Sequence, residues 1–205
     1  MQLYLLFILM ATLTILSPGP GVLKSVTNSL NYGFKRAFIG VIGLSTGTFC
    51  VAVLSATSLG ALLAASDTGF TVIKYFGATY LIYMGIKLWR APAFEFKDAA
   101  KEAISNKKLF TECFIFQLSN PKALVFFLSV FPQFIEHDRS YLGQFAVLVL
   151  TFCLLLVLVH SIYALFAHKT KSWFTSARGG RWANRVGGTA FIGFGLLLAN
   201  AKKTG

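Results

Sequence analysis

Two short stretches of this sequence set a polar break and proline inside apolar surroundings. The first, Ser17-Pro18-Gly19-Pro20-Gly21, follows Ile15-Leu16; the second, Ser119-Asn120-Pro121-Lys122, follows Phe116-Gln117-Leu118. Ser17 and Asn120 are favoured N-cap types, and Pro18 and Pro121 come next, at the first helical position, where a missing N–H costs nothing. Pro20 still falls within the first turn and removes a donor that has no intrahelical partner. Each stretch reads as the start of a half-helix with free N–H groups and a positive dipole end, which is a setting for an anion such as a carboxylate. Lipid cannot satisfy such groups, so both breaks are expected to face protein or a water-filled cavity.

Lys122 and His160 add charge and proton chemistry. A lysine this deep in a span costs about 2.5–3.5 kcal/mol, so it is expected to face inward with a partner. There its ammonium could hold a substrate carboxylate beside the break, and the competing reading is that it snorkels to the headgroups. His160 is the histidine that falls within an apolar run. A histidine can exchange protons between pH 5 and 8, which makes it a proton-coupling candidate, although a hydrogen-bonded packing role fits it as well. Enzyme chemistry finds no support: H-E-x-x-H, G-x-S-x-G and an acidic pair within a span are all missing. Cys50, Cys113 and Cys153 have no paired spacing, so neither a disulfide framework nor a metal site is expected, and no cofactor is implied.

The elements that must carry these residues are membrane helices. Hydrophobic residues make up 56% of the 205 residues and charged ones 13%, too apolar a balance for a chain that must cover itself in water. The formal charge of +12 collects in short polar connections, a pattern of membrane orientation and contact with lipid headgroups; it gives no reason to expect nucleic acid. Residues 2–16 lack a basic flank and a small-residue cleavage site, so they read as a retained span.

Apolar runs cover about 3–31, 37–63, 70–89, 113–134, 143–166 and 184–200. The fold expected is an all-α integral membrane protein of about six transmembrane helices. If the first or last run does not cross, five spans result. Lys24, Lys35 and Arg36 mark the first connection, six basic residues from Lys87 to Lys108 the third, and Lys169, Lys171, Arg178, Arg181 and Arg185 the fifth. These odd-numbered loops are therefore read as cytoplasmic and both termini as outside. Asp67 and Glu136 are read as solvated loop charges, as is Glu112. Glu95, Lys97, Asp98, Lys101 and Glu102 could form a surface helix in the third connection.

Both breaks fall in the first span of a three-span half, and an odd number of spans turns the second half upside down. Single proline kinks are common in membrane helices, but matched breaks in inverted repeats point to a secondary transporter's substrate site. The whole chain, 1–205, reads as one transmembrane domain. Repeat one covers about 1–90, the cytoplasmic connection about 91–112 and repeat two about 113–205. Gly40, Gly43 and Gly47 share one face of the second helix; Gly77 and Gly85 do so on the third, and Gly187 and Gly195 on the sixth. Close helix packing is the simplest reading, and such faces could equally serve a homodimer. Gly43 and Gly47 could also line a cavity beside the first break.

At these residues the chain resembles the lysine exporter (LysE/RhtB) family of bacterial inner-membrane amino-acid exporters. The resemblance rests on Ser17-Pro18-Gly19-Pro20, Tyr32-Gly33, Gly77-Ala78-Thr79-Tyr80-Leu81, Asn120-Pro121-Lys122-Ala123 and Phe131-Pro132-Gln133-Phe134. It implies efflux of a small amino acid or derivative, driven by the proton gradient. Some members carry an acidic residue in the second span; here that region reads Leu44-Ser45-Thr46-Gly47-Thr48. Without a buried negative partner a cationic substrate is disfavoured, so a neutral amino acid is expected over lysine or arginine. A channel or structural subunit is the remaining alternative, and no filter-like segment supports it. The expected substrate-binding set is Ser17, Pro18, Gly19, Pro20, Gly43, Gly47, Asn120, Pro121 and Lys122.

Overall fold

The computed structural model describes residues 2–65, 67–93, 104–135 and 140–200, and these are helical with no strand among them. The charged stretch from Glu95 to Glu102, Glu136, Asp138 and Arg139 of the fourth connection, and Lys202 and Lys203 lie outside the described residues. Helix α1 (Gln2–Leu16) is apolar on every side and runs into the first break. Helix α2 (Pro20–Tyr32) resumes at an angle of 56° to it. Gly33 ends α2 at φ 78°, and its N–H donates to the Ser29 carbonyl at 2.9 Å. Open space surrounds Gly33, so the backbone angle is what requires glycine there.

Helix α3 (Phe34–Ala65) and helix α4 (Asp67–Arg90) follow. The second half opens with α5 (Asn106–Leu118) and α6 (Pro121–Val125), then a π-helical turn (Phe126–Val130) and a 3-10 turn (Phe131–Phe134). Helices α7 (Tyr141–Leu165), α8 (Ala167–Thr175) and α9 (Ala177–Asn200) complete it. The stretch Phe34–Ala56 and α7 are each long and apolar enough to cross a membrane, and α1 with α2, taken as one bent span, makes a third.

Two boundaries differ from the sequence reading. The fourth apolar run begins at Asn106, well before position 113, because Ser105 caps α5 by accepting from the Lys108 N–H at 3.2 Å. The fifth connection, read as a basic stretch between the apolar runs 143–166 and 184–200, is helical through α8 and into α9. Its basic residues are good helix formers, and buried Ala167 and Phe174 anchor α8 beside Val22 and Val26 of α2.

Packing pairs the elements across the two halves. Helices α1 and α2 lie on α7, α5 and α6 lie on α3, and α4 lies along α9. Glycines set the closest approaches. A side-chain carbon on Gly85 would fall 2.7 Å from the Gly188 carbonyl oxygen, and one on Gly188 would fall 2.6 Å from that of Gly85. An aromatic cluster fills the region between α1 and the turns after α6. The ring of Phe7 meets those of Phe131 and Phe134 at 6.1 and 5.2 Å, and Phe126 meets Phe152 at 4.8 Å.

Candidate functional site

The two breaks differ in how they end a helix. At the first, the Ser17 N–H still donates to Leu13 at 3.0 Å, and the chain then extends through Gly19 at φ −154° and ψ −177°. Gly19, and not Ser17 as the sequence indicated, is the N-cap, because Pro20 rather than Pro18 opens α2. No side chain caps this end. The N–H groups of Gly21 and Val22 therefore lack the intrahelical partners that begin with Leu23, whose N–H reaches the Gly19 carbonyl at 3.1 Å.

The second break is closed by its own residues. Asn120 is the N-cap, as its type and the following Pro121 indicate, and its side-chain oxygen accepts from the Lys122 N–H at 3.1 Å. The N–H groups of Ala123 and Leu124 both donate to the Asn120 carbonyl, at 3.1 and 3.2 Å. Open backbone donors thus belong to α2, whereas the sequence reading gave them to both breaks.

Lys122 joins the two. Its Nζ donates to the Ser17 carbonyl oxygen at 2.8 Å and lies 5.2 Å from the centre of the Phe191 ring. The side chain is partly buried and turned toward the first break, not stretched toward headgroups. The Ser17 hydroxyl is buried with no hydrogen-bond partner among the described residues. Behind Asn120 runs a ladder of side chains. Asn120 Nδ2 donates to Gln117 Oε1 at 3.0 Å, Gln117 Nε2 donates to Thr48 Oγ1 at 2.8 Å, and Thr48 donates to the Leu44 carbonyl at 3.0 Å. These groups are nearly fully buried, and the ladder ties the second break to α3.

Between the breaks lies a hollow of about 40 Å³. A buried water needs roughly 10–15 Å³ by this measure, so in this conformation the space holds about three waters. Ser17, Gly19, Pro20, Asn120, Lys122 and His160 all border it, joined by Thr14, Gly21 and Gln117, and by Phe126 and Phe152 on the apolar side. Among the described lining residues Lys122 is a cation and none is a carboxylate. His160 Nδ1 lies 2.9 Å from the Ser25 hydroxyl.

Other expected residues lie elsewhere. Pro18 borders a neighbouring apolar cavity with Tyr163 and Trp182, and Pro121 is exposed. Gly43 and Gly47 do not border the hollow; they seat α5. A side-chain carbon on Gly43 would fall 2.5 Å from the Phe110 carbonyl oxygen, and one on Gly47 would fall 2.8 Å from that of Phe114. Glu112, read as a solvated loop charge, pairs with Lys24 of α2 at 3.3 Å, because α5 begins early enough to bring it alongside α2. Gln117 and Ser25 were missed, although both carry a signal. Gln117 is a polar residue in an apolar run three positions before Asn120, and Ser25 stands one turn after Gly21.

Comparison with known proteins places this architecture. The model of the LysE type translocator family matches residues 12–202. An uncharacterized membrane protein of Vibrio cholerae is 35% identical over 201 residues, covering 98% of either chain. A homoserine/homoserine lactone efflux protein of Salmonella typhimurium is 34% identical over 196 residues, covering 96% of this chain and 95% of its own. No solved structure matches the chain. A bacterial membrane setting and a role in moving small molecules follow from these relatives, and the chain belongs to the LysE type translocator family of exporters.

Proposed function

We propose that this protein is a secondary-active exporter of a small, neutral amino acid or close derivative, coupled to the proton gradient. It sits in the bacterial inner membrane with its odd-numbered loops in the cytoplasm. The observation that carries the reading is the shared hollow: two helix breaks, open N–H groups of α2 and the Lys122 ammonium converge on one space. The substrate carboxylate accepts from Lys122 Nζ and from the N–H groups of Gly21 and Val22, where the α2 dipole favours negative charge. The Lys122 charge and the lack of a lining carboxylate favour a neutral amino acid over lysine or arginine. Homoserine or its lactone, named for the Salmonella relatives, is the first substrate to test.

The pairing of elements supports two inverted three-span repeats. Exchanging the halves maps α1 and α2 on α7 to α5 and α6 on α3, and maps α4 on α9 to itself. Such an arrangement lets one half rock against the other around a fixed site. The test is counterflow of labelled homoserine, threonine, leucine, lysine and arginine by purified protein in vesicles, with and without a pH gradient. Saturable uptake of neutral solutes that responds to the gradient is expected. Preference for lysine or arginine, or linear unsaturable flux, overturns the reading.

A further inference from the structure

The carboxylate contacts leave the other end of an amino acid without a partner, and the wall of the hollow beside Gly21 offers one. The Ser25 hydroxyl has a single proton, and it lies 3.1 Å from the Gly21 carbonyl, to which it donates. With that proton directed at Gly21, Ser25 accepts at its 2.9 Å contact with His160 and Nδ1 of the ring donates, which assigns the tautomer from the hydrogen-bond pattern. With the ring proton on Nδ1, Nε2 of a neutral imidazole is a bare acceptor. Gly21 lets both groups come close to α2. A side-chain carbon there would lie 3.2 Å from His160 Cε1 and 4.0 Å from both His160 Nε2 and Gln117 Oε1. The imidazole and the amide oxygen thus meet beside the open end of α2, where both residues border the hollow. The Gln117 oxygen takes one hydrogen bond from Asn120 and retains a second lone pair.

We infer that this pair of acceptors receives the α-ammonium of the substrate, with His160 Nε2 and Gln117 Oε1 accepting its N–H groups, and that it makes the site selective for amines. The inference rests on the exporter reading and adds a second recognition point to it. Ser25 acts as a positioning residue: it holds the ring in the accepting tautomer. A solute that keeps the amine but lacks a free carboxylate retains this anchor, whereas a plain carboxylic acid loses it.

The test compares homoserine with 4-hydroxybutanoate, the same skeleton with hydrogen in place of the α-ammonium, in counterflow by the reconstituted full chain. The native protein should favour homoserine by about ten- to a hundredfold, the range of one hydrogen bond to a charged group. His160→Phe, which keeps a planar ring and removes the acceptor, should bring the ratio near one, and His160→Gln should restore part of it. Gly21→Ala, whose added carbon would press on the His160 ring, should also lower the ratio, and its abundance beside the native protein separates that loss from a folding defect. A ratio near one in the native protein, or a His160→Phe variant that slows both solutes equally, overturns the inference. If the native protein carries neither of these solutes nor threonine or leucine, the exporter reading itself falls, an outcome distinct from carrying both without preference.

Discussion

Lys122 Nζ stands 2.8 Å from the carbonyl oxygen of Ser17, so a cation of the second half caps the end of α1 in the first half. That end carries the negative pole of the α1 dipole, where an ammonium is favoured. On the proposed exporter reading, a substrate carboxylate entering the hollow would compete for the same ammonium and so link substrate binding to the joint between the two halves.

Lys122→Ala should therefore cut transport of a neutral amino acid by about ten- to a hundredfold, the worth of a charge-assisted hydrogen bond. Membrane abundance should be nearly unchanged, because removing this charge also removes its desolvation cost. Lys122→Arg should keep part of the activity. Counterflow rates beside immunoblot levels check this; full transport by the alanine variant would return Lys122 to a structural role.

Asn120 does two tasks, capping α6 and donating to Gln117. Asn120→Ala should cost about 1 kcal/mol from the cap alone, and leave Gln117 Oε1 short of a donor. Thermal shifts of the purified protein in detergent should fall accordingly. Asn120→Asp keeps the cap acceptor and loses the donor, so it should recover part of the stability and little of the transport.

Much of the site was legible in the sequence. Proline beside a cap-type residue marks a helix start wherever it occurs, and an apolar run makes that start internal to the membrane. Asn120 and Lys122 stand where this logic sets them, whereas the cap at the first break slipped from Ser17 to Gly19 because the doubled prolines allow two starting points. Gly43 and Gly47 stand one helical turn apart, a spacing that fits packing and cavity lining alike, and only the position of α5 decides that they touch its backbone. The Ser25–His160 contact joins residues far apart in sequence, and no local pattern announces it.

Gly47→Leu should act through packing. The α3–α5 approach leaves no room for a side chain at this glycine, since the Phe114 carbonyl oxygen and the Gln117 Cβ would both stand 2.8 Å away. Overpacking of this kind costs about 1–3 kcal/mol. Reduced membrane abundance is expected, with substrate preference among the surviving molecules unchanged. An altered preference at normal abundance would instead make Gly47 part of the site.

Phe7 is fully buried, and its ring packs against Phe126, Phe131 and Phe134. Truncation to alanine should cost about 3–5 kcal/mol, lost transfer energy plus the cavity left behind. Phe7→Leu refills most of the volume and should restore most of the stability. Melting temperatures of the two variants in one detergent give the comparison.

The Lys24–Glu112 pair joins α2 to α5, the helices that flank the two breaks, at 3.3 Å. Both side chains are part-exposed, at 30% and 40%, so water and salt weaken their attraction and the pair should contribute only about 0.2–1 kcal/mol. A double-mutant cycle with Lys24→Met and Glu112→Gln should return a coupling energy in that range, falling as salt rises. If the two halves rock against each other during transport, as proposed, breaking this link between them should also change the transport rate. Exchanging the charges, Lys24→Glu with Glu112→Lys, should recover the native rate if attraction is what matters. Rate loss that persists in the exchanged variant would assign the effect to packing of the two stems rather than to their charges.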